Sequence, residues 1–259
     1  YGLLKGMEKY LNQIKVERIL SWGKDFDAEK LSEMINRTIR IEKIAIKDVK
    51  MRTFITEDVS RNEMVQHVYD ITYGTVRAGE DTLVVIDDSI VRGTTLKESI
   101  IRMLGRLKPK KIIVVSSSPQ IRYPDCYGID MSKMGDFIAF NAAVSLLKEQ
   151  GRADFLQELL QRCKELEVAG KLHEENVVRQ LYKQFTTDEI TDQIARLITP
   201  ADLGIPVQVI FQKIEDLHAS CPNNLGDWYF TGNYPTPGGN RVVNKAFMNY
   251  MEGKNVRGY

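Results

Sequence analysis

Between Leu3 and Ile14 the apolar residues Leu3, Leu4, Met7, Tyr10, Leu11 and Ile14 recur three and four apart, the spacing of one face of an amphipathic helix. AEKLSEMINRTIRIEKI, from Ala28 to Ile44, predicts a second helix, and RTFIT, from Arg52 to Thr56, an extended segment. RNEMVQHVYDITYG reads as helical again, ending near Gly74. The pattern then changes. DTLVVIDDS packs Leu83 to Ile86 into a short apolar run flanked by polar residues, which predicts a buried strand. LKESIIRMLGRL places Leu96, Ile100, Met103, Leu104 and Leu107 on one helical face, and PKKIIVVSSSP predicts a second buried strand.

Strand, turn, helix and strand in that order form a βαβ unit, which implies a parallel sheet covered on both faces. In such sheets ligands bind beyond the carboxyl ends of the strands, and both polar clusters, DDSIVRGTT and SSSPQIRYPD, fall there. From Phe140 to about Thr199 the pattern is helical, with Thr187 ahead of Asp188 and Glu189 suggesting a capped helix start. VQVIF, after Pro200, predicts one more strand. LGDWYFTGNYPTPGGNR predicts an irregular, aromatic tail.

Composition narrows the function classes. The chain has 259 residues, 43% of them hydrophobic, enough for a large core. Lys plus Arg is 36 and Asp plus Glu is 35, a balance that gives no reason to expect nucleic acid or a membrane as partner. Cys126, Cys163 and Cys221 are far apart and odd in number, which fits reduced thiols in a cytoplasmic protein. No apolar run reaches membrane-spanning length. His67, His173 and His218 show no metal-ligand spacing. Tyr1 rather than Met opens the chain, as expected of a piece of a longer protein.

The stretch VVIDDSIVRGTT, Val84 to Thr95, carries the chemistry. Gly93 lets the backbone approach a ligand. Thr94 and Thr95 add hydroxyls, and the helix beginning beside them offers free backbone N–H groups and a positive dipole end, an anion site suited to phosphate. Asp87 and Asp88 suit Mg²⁺ or sugar hydroxyls instead. Together they suggest a ligand with both a phosphate and a ribose, although an Asp pair before Ser and Thr also occurs as a solvated strand end with a helix cap. Neither GxxxxGK[ST] nor GxGxxG is present.

VVIDDSIVRGTT resembles the phosphoribosyl-pyrophosphate (PRPP) motif of type I phosphoribosyltransferases, and its extension DDSIVRGTT resembles amidophosphoribosyltransferases. RTFI (Arg52 to Ile55), IRYPDCYGIDM (Ile121 to Met131), FIA (Phe137 to Ala139), VIFQKIEDL (Val209 to Leu217) and FTGNYPT (Phe230 to Thr236) follow in the family's order. The resemblance implies an α/β fold with a parallel sheet and helical C-terminal additions. It implies a phosphoribosyltransferase core over residues 1–145 that is N-terminally truncated, a helical insertion over 146–200, and a family-like strand with an irregular tail over 201–259.

It also implies an activity: ammonia derived from glutamine displaces pyrophosphate from C1 of PRPP, giving 5-phosphoribosylamine for purine biosynthesis. Asp87 and Asp88 would hold Mg²⁺ and the ribose hydroxyls, and Ser89, Arg92, Gly93, Thr94 and Thr95 the 5′-phosphate. Arg52 would be the catalytic contact to pyrophosphate, with Lys47 and Lys50 as weaker candidates. IRYPDCYGIDM would be chiefly structural, and Cys126 a packed residue rather than a nucleophile. Purine nucleotides would be feedback ligands, and the protein a homo-oligomer.

Three departures qualify the resemblance. The glutaminase half, with its N-terminal cysteine, has no counterpart here. The family's pyrophosphate loop, expected ahead of the first helix, is also missing, so the chain alone is expected to be inactive. GDWYFTG stands where some members carry a CxxC, so no iron–sulfur cluster is expected. A nucleotide-binding regulator with the PRPP fold, or another type I phosphoribosyltransferase, is the alternative.

Overall fold

The computed structural model describes residues 2–23, 27–42, 44–47, 69–72, 74–127, 131–223 and 226–258. Two compact units are present, residues 1–46 and 47–259. In the first, helix α1 (Gly2–Ser21) half-buries Leu3, Leu4, Met7, Leu11 and Ile14, as its periodicity predicts, whereas Tyr10 is exposed. Helix α2 (Ala28–Asn36) is capped by Asp27, whose side chain accepts from the Glu29 N–H. It stops well short of the predicted Ile44, because Arg37 turns extended. The residues that follow, with Thr38, Ile39 and Ile41, are β-branched and unfavourable for continuing a helix. Strand β1 (Ala45–Lys47) begins where that helix was expected to end.

In the second unit, Tyr69–Ile71 forms a short strand, β2, within the stretch expected to be helical. Residues 61–68 of that stretch, and RTFIT, lie outside the described residues. The predicted βαβ unit follows. Strand β3 (Thr82–Asp87) leads to helix α3, which opens as a π-helical stretch, Leu96–Ile101, and continues as an α-helical turn, Arg102–Gly105. Strand β4 (Lys111–Ser116) comes next. Leu96, Ile101, Leu104 and Leu107 are buried. Ile101 rather than Ile100 is fully enclosed, since the wider π turn rotates the face.

The chain then enters α4 (Ile138–Glu149), α5 (Asp154–Val168), the single turn α6 (Arg179–Tyr182) and α7 (Thr187–Ile198). The α7 cap is Thr186, one residue earlier than the sequence suggests. Its hydroxyl accepts from the Glu189 N–H while the Glu189 carboxylate accepts from the Thr186 N–H, a capping box. Strand β5 (Val207–Phe211) joins β4, so the sheet order is β3-β4-β5 with all pairs parallel.

Leu83, Ile112, Val114 and Val209 are buried on one face of this sheet, and α7 packs against both α4 and β5. Ile190, Ile194 and Ile198 of α7 are inaccessible to solvent or nearly so. On the opposite face Val84, Ile86 and Ile210 are exposed, so the expected two-sided cover is incomplete among the described residues.

The tail departs most from expectation. After α8 (Ile214–Ser220) and the turn α9 (Trp228–Thr231), Pro237–Met251 forms a four-turn helix, α10, instead of an irregular end. Pro237 lies in the first turn, where its missing N–H costs nothing. At Gly239 a Cβ would overlap the Tyr234 ring, so the helix start needs glycine there for that ring to pack against it. Phe247 and Met248 of α10 are buried, and the Phe140 ring meets Phe247 and Tyr250 edge-on at 6.2 and 4.8 Å.

Candidate functional site

The site is built at the carboxyl end of β3. Register pairs Asp87 with Ser116, and the Ser117 N–H donates to the Asp87 carbonyl at 2.8 Å, so the strand end is held up to its last residue. Asp87 is half-buried and Asp88 exposed. Burial pushes the Asp87 carboxyl up to about 6, and the hydrogen bond it donates to Asp88, together with the Asp88 charge, pushes the same way. Asp88 falls below its ordinary range because the Asp87 side chain and the Ser89 N–H both favour its ionised form. Burial and the adjacent like charge thus favour the protonated form of Asp87 and leave Asp88 the more acidic of the two.

From Ser89 the chain turns over a buried Ile90. The Val91 carbonyl accepts from the Ile138 N–H at 2.7 Å, and the Arg92 Nη2 donates to the Asp136 Oδ2 at 3.2 Å. Gly93 has φ +74°, a left-handed conformation that costs other residues about 1–2 kcal/mol. The wall behind it is close: a Cβ would stand 3.0 Å from Ile198 Cγ2 and 3.3 Å from Ile138 Cδ1. The Gly93 carbonyl accepts from the Lys97 N–H at 2.9 Å, and Thr94 and Thr95 lie exposed at the start of the helix. The structure therefore brings Asp87, Asp88, Ser89, Arg92, Gly93, Thr94 and Thr95 onto one continuous turn. Arg52 and Lys50 lie outside the described residues.

No group of three or more His, Cys, Asp or Glu side chains suited to a metal occurs among the described residues. Mg²⁺, however, keeps several waters and is commonly held by one or two carboxylates together with substrate phosphates. The Asp87–Asp88 pair, with its surplus negative charge, fits that mode of binding.

No family model matches the chain. Curated relatives do. The chain is 43% identical over 70 residues to the amidophosphoribosyltransferase of Haemophilus influenzae, a stretch that is 27% of this chain and 14% of the relative. To the Escherichia coli amidophosphoribosyltransferase it is 40% identical over 77 residues, 30% of this chain and 15% of the relative. To that of Staphylococcus epidermidis it is 35% identical over 108 residues, 42% of this chain and 22% of the relative. Part of this chain is related to the amidophosphoribosyltransferases. Among solved structures, the glutamine PRPP amidotransferase from B. subtilis complexed with ADP and GMP covers 75% of this chain and 32% of its own, at 25% identity and a TM-score of 0.41.

Residues 121–127 of IRYPDCYGIDM pack against Trp228, Tyr229 and Tyr234, at and just before the FTGNYPT stretch. The Arg122 and Tyr123 N–H groups donate to the Tyr229 carbonyl at 2.8 and 3.1 Å. The Tyr229 hydroxyl donates to Asp125 at 3.0 Å, and the Tyr234 hydroxyl to the Pro124 carbonyl at 2.7 Å. Tyr123 meets Tyr182 edge-on at 5.2 Å, and Tyr127, though exposed, meets Trp228 at 6.1 Å. Burial and the nearby Asp125 raise the Cys126 thiol, which disfavours a nucleophilic thiolate. All three cysteines are free. The residues of the turn's environment that the sequence did not single out are Asp136, Ile138 and Ile198. Ile138 had a signal, since it lies in the FIA stretch of the amidophosphoribosyltransferase resemblance, and Asp136 immediately precedes that stretch. Ile198 had none beyond its helical periodicity.

Proposed function

We propose that this chain is the phosphoribosyltransferase portion, of type I fold, of an amidophosphoribosyltransferase, and that the turn from Asp87 to Thr95 binds PRPP. One observation carries the reading. A left-handed glycine turn between two adjacent carboxyl groups and a helix start combines, in nine consecutive residues, the partners of a ribose and of a phosphate. Asp87 and Asp88 accept from the ribose hydroxyls. Ser89, Thr94, Thr95 and the backbone around Gly93 donate to the 5′-phosphate, and Arg92 adds a fixed positive charge.

Asp87 and Asp88 would hold Mg²⁺ together with the substrate, and the ion would supply charge neutralisation for the departing pyrophosphate. The reaction in the complete protein is displacement of that pyrophosphate at C1 by ammonia released from glutamine. Arg52 is proposed as a pyrophosphate contact. Purine nucleotides as feedback ligands, a homo-oligomeric assembly and a cytoplasmic location belong to the same reading. No helix among the described residues is long and apolar enough to cross a membrane.

The test is calorimetric titration of the chain with Mg²⁺ and PRPP, and separately with ribose 5-phosphate, for the parent and for Asp87→Asn/Asp88→Asn. The double variant should lose PRPP affinity by tenfold or more, about 1.4 kcal/mol, and ribose 5-phosphate by less. Equal affinities of parent and variant for PRPP would refute the carboxylates' assignment.

A further inference from the structure

Forty-four positions separate Arg92 from Asp136, yet Arg92 Nη2 and Asp136 Oδ2 lie 3.2 Å apart. The acidic partner is short and its base is anchored. Asp136 ends a 3-10 turn, Met134–Asp136, whose Met134 is almost fully buried. The Asn141 amide of α4 donates to the Gly135 carbonyl at 2.9 Å, and the Tyr250 ring of α10 lies so close over Gly135 that a Cβ would meet it at 3.2 Å. Two residues on, the Ile138 N–H holds the Val91 carbonyl. Most surface ion pairs gain little because two long side chains must be ordered together. In this pair the carboxylate side is already ordered by the turn beneath it.

We propose that Asp136 is a positioning residue for Arg92. By holding one nitrogen of the planar guanidinium, it sets the plane in which Arg92 meets an anion on the Ser89–Thr95 turn. The anion's chemistry is a phosphate monoester carried on a sugar. This inference rests on reading that turn as a phosphate site.

The experiment is calorimetric titration of the full chain with ribose 5-phosphate, for the parent, Asp136→Ala, Arg92→Ala and the double variant, with thermal midpoints measured alongside. Asp136→Ala should weaken binding about tenfold. In the Arg92→Ala background the same substitution should have no further effect on affinity, the signature of a residue acting through Arg92 rather than through the fold. Asp136→Asn, which keeps an acceptor oxygen, should restore part of the loss. Unchanged or tighter binding by Asp136→Ala would overturn the proposal, the latter marking Asp136 as a competitor of the anion. Equal losses in the presence and absence of Arg92 would overturn it as well. Failure of the parent to bind ribose 5-phosphate would be a different result, refuting the phosphate reading of the turn and this inference with it.

Discussion

At Asp87, burial and the neighbouring Asp88 act in the same direction, which makes this residue a pH-dependent liability in the protein without ligand. Its carboxyl is raised from 3.8 to about 6, so the folded chain holds the proton more tightly than the unfolded chain. Stability therefore falls as pH rises from about 4 to about 6 and levels off above that. Asp88, shifted down, contributes in the opposite sense, but it is exposed and solvent weakens its effect. Asp87→Asn should raise stability near pH 7 by about 1–2 kcal/mol after allowance for solvent screening, and by almost nothing at pH 4. Melting curves of parent and variant at the two pH values would check this. A carboxyl kept at a stability cost is the trade expected of a residue retained for binding.

Among the elements, α7 links the helical stretch to the proposed phosphate turn, with Thr186 capping one end and Ile198 pressed against Gly93 at the other. Thr186→Ala removes the acceptor for the Glu189 N–H and should lower stability by about 1 kcal/mol in urea unfolding. The variant's affinity for ribose 5-phosphate should fall in the same direction, because the wall behind Gly93 is the far end of that helix.

The βαβ unit, β5 and the amphipathic helices α1, α4, α5 and α7 were legible because their apolar periods are long and uninterrupted. The nine residues of the proposed site were legible too, since they are consecutive. Three things were not. Tyr69–Ile71 is too short for its period to outweigh a helical context. The start of α10 is disguised by Pro237, Gly238 and Gly239, residues that signal a turn but are tolerated or required there by the helix start and the Tyr234 ring. The Arg92–Asp136 pair depends on tertiary contact alone, and no local pattern encodes a partner 44 residues away.

In the larger unit as a whole, Asn244 ties α10 to the rest. Completely buried, it donates to the Leu172 and Glu175 carbonyls at 2.9 and 2.7 Å and accepts from the Val177 N–H at 3.0 Å. Asn244→Ala would leave three buried backbone groups unpaired, and a loss of about 3 kcal/mol is expected in chemical denaturation. Asn244→Asp should be no better, since a carboxylate would face two carbonyl oxygens. Because α10 also supplies Tyr250 above the turn that carries Asp136, a change here should reach the proposed phosphate site through packing alone.

The order of the sheet also shapes how the chain reaches its fold. Ile112 pairs with Val207, so the last strand docks on β4 only after every helix between them has left the ribosome. Until then the edge of β4 stands open, with Ile113 and Val115 beside the already exposed Val84 and Ile86. Closing so long a loop is slow. During synthesis the nascent chain must therefore carry an unpaired, aliphatic strand edge for the whole time the helical stretch is being made, the interval in which misassembly with other chains competes with folding.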